Sequence, residues 1–363
     1  MRFGVFLPNG RNGYILSKAA PLYMPTFKHN LAITQEAERQ GLDFVLSMIK
    51  FRGFGGETGF WDACLDSINL TSALAAATSK IGLVATISLL STHPAVAARM
   101  IATLDDISGG RGGLNIVTGW NRAEYAQMGL WPGDQYYEQR YEFADEYLSI
   151  CRSLWRTGRV DHDGKFFQLK DCVCEPMPQR EIPIVCAGQS PQGVRFTAQH
   201  GDHNFVMSSK SGLKRITQNL GEAAAKVGRK VGTYALFVMV AAETDAEAHA
   251  QANAILAGAD TAAIAGMLGS AALDPVTGGS SDRMKEALGM PLDEGNMAFL
   301  SFPALIGSFQ SVAQQIDAIE ADCGIEGMLL TFPDFVQGTR DFGTRVRPLL
   351  RGSAAAAAQH IAA

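Results

Sequence analysis

The fold class this sequence predicts is a (β/α)8 barrel, and three observations predict it. Short β-rich apolar runs alternate with helical stretches along most of the 363 residues. Eight such runs can be counted, and parallel strands need covered faces and long crossovers, which a closed ring of helices supplies. Finally, SGGRGGLNIVTGW, Ser108 to Trp120, is a glycine-rich turn followed by a short apolar strand that ends on polar side chains. Polar groups at the C-terminal ends of buried strands are where α/β enzymes keep their chemistry. An open doubly wound sheet is the alternative architecture.

Arg2 to Leu7 is the first strand, closed by Pro8-Asn9-Gly10. Leu31 to Gln40 is helical and stops at Gly41, and Asp43 to Met48 is the second strand. Asp62 to Ser79 reads as an Ala/Leu helix, Ile81 to Ile87 as the third strand, and Pro94 to Ile107 as a helix with proline in its first turn. Leu114 to Val117 is the fourth strand, and a long loop leads from it to the amphipathic helix Tyr137 to Trp155. Ile182 to Ala187 runs as the fifth strand into Gly188-Gln189-Ser190. A helix from Gly193 to Gln199 precedes the sixth strand, His203 to Met207. The helix Leu213 to Val227 leads to the seventh strand, Tyr234 to Ala242, and the helix Ser311 to Ala321 to the eighth, Met328 to Phe332. A terminal helix is expected near Asp341 to Leu349.

Two stretches exceed a minimal barrel. His162 to Met177 reads as a hairpin with Asp161-His162-Asp163-Gly164 as its turn signal. Asp260 to Pro303 is a long Ala/Gly-rich insertion between strands seven and eight, of the kind that forms lids or interfaces. Residues 1–351 are therefore expected to form one domain, with the insertion at about 260–303 and an Ala-rich, flexible tail at 352–363.

The net charge of −5 and the absence of Lys/Arg blocks beyond pairs such as Lys214-Arg215 argue for small-molecule partners, not nucleic acid or an anionic membrane. The six cysteines are scattered and the opening MRFGVFLPNG is too short an apolar stretch for a signal peptide, which fits a reducing cytoplasmic compartment. No apolar run is long enough to cross a bilayer. No metal site is expected, because there is no H-E-x-x-H pairing and Cys172-x-Cys174 has the wrong spacing. Neither a G-x-S-x-G elbow nor a G-x-G-x-x-G fingerprint after the first strand is present. Polar and aromatic groups at a barrel mouth without these motifs point to a bound organic cofactor.

If the strands are barrel staves, their C-terminal ends bring together Ser47, Ile49 and Lys50, then Thr86 and Ser88, then Asn115, Thr118 and Glu124, then Gln189 and Ser190. Ala187-Gly188-Gln189-Ser190 places glycine and a hydroxyl at a helix start, where backbone N–H groups hold a phosphate, with Arg140 as countercharge and Tyr141 as a hydroxyl donor. The plain alternatives are that Ser190 only caps its helix, Arg140 is a surface base and Thr86 is a β-branched barrel filler.

SMIKFRGFGG (Ser47 to Gly56), DDISGGRGGLNIVTGW (Asp105 to Trp120), EYAQMGLWPGD (Glu124 to Asp134), RYEFADEYLSICRSLW (Arg140 to Trp155) and VCAGQS (Val185 to Ser190) resemble the pyrimidine monooxygenases of the bacterial Rut uracil-degradation pathway. These are luciferase-like FMN-dependent monooxygenases, and the resemblance runs over nearly the whole chain. It implies a luciferase-like (β/α)8 barrel that takes FMNH2 from a separate, NADH-fed flavin reductase. With O2 as co-substrate, it would open the ring of uracil or thymine between a carbonyl carbon and its nitrogen neighbour, giving a ureidoacrylate-type product. Carried over residue by residue, it implies that Ile49, Lys50, Asn115 and Glu124 contact the flavin and that Arg140, Tyr141 and Ser190 hold its phosphate. Thr86 and Asn115 would frame the oxygen pocket, a hydroxyl and an amide that hydrogen-bond activated oxygen without quenching it as an acid would. MSSKSGLKRI (Met207 to Ile216) and Ala271 to Phe302 depart from the uracil enzymes, which leaves open another N-heterocycle or a small amide as substrate. A deazaflavin-dependent reductase and a non-catalytic flavin-binding protein are the other readings, and a homo-oligomer is compatible with all of them.

Overall fold

The computed structural model describes residues 1–208, 210–277, 298–299 and 302–352. Strand β1 (Arg2–Leu7) is buried beyond its first residue and pairs in parallel with β2 (Phe44–Ser47) on one side. From β2 the ring continues through β3 (Gly82–Ser88) and β4 (Gly112–Val117). The antiparallel hairpin β5 (Arg159–Asp163) and β6 (Gln168–Val173) lies outside the ring. The ring resumes with β7 (Ile184–Cys186), β8 (His203–Val206) and β9 (Gly232–Ala242). A strand absent from the sequence reading, β10 (Ala304–Ser308), adds to the C-terminal half of β9, from Ala304 opposite Val238 to Ser308 opposite Ala242. Finally β11 (Gly327–Thr331) pairs with both β9 and β1 and closes the ring. Parallel closure through the β8–β9 pair rules out the open doubly wound sheet.

An open pocket lined by Arg2, Asp43, Lys80 and Arg111 indents the N-terminal end of the barrel, and stacked aromatic rings line it. Phe44 stacks on Tyr234 (centroids 4.7 Å apart) and Tyr234 on His203 (4.1 Å). These rings fit because Gly4 and Gly327 carry no side chain: a Cβ on either would lie 2.8 Å from a ring carbon of Phe44 or Tyr234. Space for a ligand is left at the C-terminal end, where polar side chains gather.

Several boundaries move, each for a local reason. The second helix spans only Ser67–Ala76, starting where the Asp66 carboxylate accepts from the Asn69 N–H (2.8 Å), so residues 51–66 form a loop over the barrel mouth. The hairpin turn falls at residues 164–167, closed by Gly164 N–H donating to the Phe167 carbonyl (2.9 Å). The terminal helix is Phe335–Asp341, continued by a π-helical turn at Phe342–Val346 and a 3-10 turn at Arg347–Leu349. The insertion opens as a helix, Thr261–Ala271, preceded by the helix Asp245–Ala257. Asp260 caps the first of these and also accepts from the N–H and hydroxyl of Thr58 (2.8 and 2.7 Å), tying the insertion to the 51–66 loop. Residues 278–297 and 300–301 of the insertion and 353–363 of the tail lie outside the described residues. Among the described residues, no helix is long and apolar enough to cross a membrane.

Candidate active site

Just past β1, the amide of Asn9 is fully buried and grips the neighbouring strand end. It donates to the carbonyls of Met48 (2.7 Å) and Leu65 (3.1 Å) and accepts from the Met48 N–H (2.9 Å). This clamp fixes where Ile49 and Lys50 leave β2 and enter the wall of a cavity at the barrel mouth. Lys50 Nζ lies 2.7 Å from Glu124 Oε2, and Glu124 Oε1 accepts from the Phe51 N–H at 2.7 Å. Both side chains are only 6% exposed. The rings of Phe54, Trp120 and Trp61 surround the ammonium at 4.7, 5.5 and 5.8 Å, so cation–π contacts take the place of water. A buried ion pair persists only when such additional contacts satisfy it.

Trp61 sits in the left-handed region at φ 60°, a conformation that costs a bulky residue about 1–3 kcal/mol. Its indole N–H donates to the Gly13 carbonyl at 2.6 Å and its ring stacks on Phe60 (4.6 Å), leaving the rest of the ring against the cavity. Cys186, at the end of β7, also lines the cavity; burial pushes its thiol up to about 12, so it stays protonated and is not a nucleophile.

Thr86 and Asn115 face each other across β3 and β4 and are hydrogen-bonded, Asn115 Nδ2 to Thr86 Oγ1 at 2.9 Å. They do not line the cavity itself. They lie one layer deeper: Ser88, two residues on from Thr86, bonds the cavity-wall phenol of Tyr125 (2.7 Å), and Ile116 and Val117 beyond Asn115 line the wall. The Thr86 hydroxyl donates to the Ser47 carbonyl, and its backbone N–H donates to Ser67 Oγ (2.7 Å). Because the one hydroxyl proton is committed, Thr86 can only accept from Asn115. That fixes the amide with its oxygen turned away from Thr86, and Asn115 Oδ1 is buried without a partner.

The phosphate-type cup forms from the remaining predicted residues. Ser190 does cap its helix, Pro191–His200, accepting from the Gly193 N–H at 3.1 Å. Tyr141 is also hydrogen-bonded to Ser190, and burial raises its phenol above the usual range, so it remains a proton donor. Gly188 and Gly193 meet backbone to backbone: a Cβ on Gly188 would sit 2.7 Å from Gly193 Cα, and one on Gly193 2.5 Å from the Tyr141 oxygen. A side chain at either position would break this close approach. Arg140 is not a surface base, since its side chain is 6% exposed. It pairs with Asp274 at 2.9 Å, while its Nε–H is buried without a partner. An unsatisfied guanidinium N–H, a protonated phenol and a helix N-terminus around a glycine cradle suit an anion such as phosphate.

The structure thus brings Ile49, Lys50, Glu124 and Tyr141 to one cavity, sets Ser190 and Arg140 about Tyr141, and places Thr86 with Asn115 beneath. Sequence reasoning missed Phe54 and Trp61 as walls of the Lys50 enclosure, although both sit in the glycine- and aromatic-rich run that follows Lys50. It also missed Asp274, for which a partner 134 residues away left no local signal.

The luciferase-like monooxygenase family model matches residues 1–326. The chain is 47% identical over 354 residues to a pyrimidine monooxygenase, RutA, of Acinetobacter baylyi, covering 96% of this chain and 95% of that one. It is 44% identical over 355 residues to the protein of the same name from Cronobacter turicensis, covering 97% and 93%. Among solved structures, a long-chain alkane monooxygenase (LadA) superposes with a TM-score of 0.82 at 22% identity, covering 98% of this chain and 92% of that one. A riboflavin lyase (RcaE) superposes at 0.85, also at 22% identity and with the same coverage.

Proposed function

This chain belongs to the luciferase-like monooxygenase family, and we propose that it is a flavin-dependent pyrimidine monooxygenase that opens the ring of uracil and of thymine. The observation that carries this reading is identity of 44–47% over almost the full length of both chains to proteins named for that activity. The ring is opened between a carbonyl carbon and the adjoining nitrogen to a ureidoacrylate-type product, with reduced FMN delivered by a separate NADH-consuming reductase. When bound, the reduced flavin supplies the electrons that activate O2.

The residues present fit that cofactor. The glycine cradle, Ser190, Tyr141 and Arg140 take the ribityl phosphate, and the orphaned Arg140 Nε–H gains the acceptor it lacks. Ile49, Lys50 and Glu124 contact the flavin from the strand ends, and Asn115, with its buried Oδ1 unpartnered, backs that wall from one layer deeper. Lys50 brings a fixed positive charge to the cavity wall without free water around it. Asn115, held by Thr86, presents an amide in one orientation only, and the two together form the layer on which the oxygen pocket rests. The aromatic wall of Trp61 and Trp120 offers planar faces to a planar heterocycle and keeps water out.

Incubating the protein with uracil or thymine, FMN, NADH and a generic flavin reductase should give a ring-opened product by mass spectrometry, with O2 consumed in step with substrate loss. Oxygen uptake with both pyrimidines intact would overturn the substrate assignment. The phosphate cup has its own test: FMN should bind more tightly than riboflavin. Arg140→Ala should remove about 1.5–3 kcal/mol of FMN binding, roughly 10- to 100-fold, with little effect on riboflavin or on product identity. That variant removes the arginine that faces the Asp274 carboxylate, so the ratio of the two affinities in the folded fraction is the quantity to read. Equal affinities in the wild-type chain would remove the phosphate assignment.

A further inference from the structure

We propose that Asp274 is a positioning residue for the flavin phosphate: by holding one arm of Arg140, it aims the rest of the guanidinium into the cup and couples the docking of its own segment to cofactor binding. This inference rests on the phosphate reading above. Asp274 stands three residues beyond the helix Thr261–Ala271, in the insertion, and is 134 residues from its partner. Both side chains are buried, 6% and 3% exposed, and Arg140 Nη1 lies 2.9 Å from Asp274 Oδ2. The carboxylate is itself held, because Oδ1 accepts from the Val276 N–H at 3.0 Å. The guanidinium is therefore split: one terminal nitrogen is committed to the insertion, and Nε–H is buried without a partner. The guanidinium carbon lies 5.6 Å from the ring of Tyr141, whose hydroxyl is bonded to Ser190.

A buried N–H donor without an acceptor is destabilising, and a phosphate oxygen relieves it through a charge-assisted bond. A planar fork recognises an oxyanion only if its rotation is fixed, and here Asp274 fixes it. The same arginine then bridges the cofactor and the segment 272–277, so binding the phosphate and seating the segment stabilise each other by linkage. The alternative electrostatic role for Asp274 is competition, in which the carboxylate occupies the arginine and the phosphate must displace it. The two roles predict opposite signs.

The test compares FMN and riboflavin affinities, by quenching of flavin fluorescence, in the wild-type chain, Asp274→Asn and Asp274→Glu. Positioning predicts that Asp274→Asn loses about tenfold in FMN affinity with riboflavin unchanged, and that Asp274→Glu, which keeps the charge, recovers part of the loss. It also predicts that FMN, but not riboflavin, slows backbone hydrogen exchange at residues 272–277 in the wild-type chain. Tighter FMN binding in Asp274→Asn would establish competition and overturn the proposal. So would an FMN-to-riboflavin ratio unchanged from a wild-type chain that prefers FMN. A wild-type chain with no preference would overturn the phosphate reading, and this inference with it. If Asp274→Asn does not fold, the Asp274→Glu affinities and the exchange measurement decide the matter in the same sense.

Discussion

Glu124→Ala is expected to lower the unfolding free energy by about 3–5 kcal/mol and to abolish turnover. The loss comes from what the substitution leaves behind. Lys50 would remain among the rings of Phe54, Trp61 and Trp120 with no counter-ion and little access to water. The Phe51 N–H would lose its acceptor as well. Removing both charges together should be far milder, because a buried pair is nearly neutral against apolar groups of similar volume while a broken pair is not. Lys50→Met combined with Glu124→Gln keeps the stem in the aromatic enclosure and an amide oxygen for Phe51, so most of the stability should return. Urea unfolding checks this: the midpoint should drop in Glu124→Ala and recover in the double variant, at an unchanged m-value. An unfolding free energy in Glu124→Ala within about 1 kcal/mol of wild type would mean that water reaches the pair. Flavin titration of the folded double variant then separates architecture from binding. Normal flavin affinity there would remove Lys50 and Glu124 as cofactor contacts.

The barrel was legible because its strands are short, apolar and separated by helices, a pattern that admits few topologies once parallel pairing is assumed. The β10 strand was not, since five residues at the end of an Ala/Gly-rich insertion carry no period of their own, and their place follows only from the overhang of β9. The shortened second helix shows the same limit. Cys64 and Leu65 continue the apolar pattern of the helix, but the chain begins to coil only after the Asp66 cap. In the site, local signals carried furthest. Gly188 and Ser190 stand together before a helix start, and Lys50 and Glu124 stand in the connections that follow β2 and β4. What stayed hidden depends on distant contacts or on backbone geometry. Asp274 finds Arg140 only in three dimensions, and nothing in the letter W announces a tryptophan at positive φ, because only glycine, asparagine and aspartate advertise that region.

Thr86→Val should fold, bind flavin and lose about tenfold to a thousandfold in ring opening, with most of the reduced flavin oxidised without product. The hydroxyl it removes is engaged twice, donating to the Ser47 carbonyl and accepting from Asn115. Valine preserves the branched shape but strands the Asn115 amide N–H and leaves the Ser47 carbonyl only the longer bond from Ser67 Oγ (3.5 Å), and a stranded buried group costs about 1–3 kcal/mol. Freed from Thr86, the Asn115 amide has no hydrogen bond to hold its orientation, since its oxygen already lacks one. Thr86→Ser makes the opposite change, keeping the hydroxyl and removing one methyl, for about 1 kcal/mol of lost packing. If Thr86 is a barrel filler, serine is the worse replacement and valine the better one. If Thr86 sets the amide that frames the oxygen pocket, the order inverts: serine keeps the coupling of product to flavin oxidation, and valine loses it. Asn115→Ala should lose coupling in the same direction, but it also removes volume beneath the cavity wall, which makes it the less selective probe. The measurement is product formed per reduced flavin oxidised, taken at saturating flavin so that weakened binding does not enter. Wild-type coupling in Thr86→Val would sink the oxygen-pocket role of this pair and leave the phosphate cup and the Lys50–Glu124 enclosure standing.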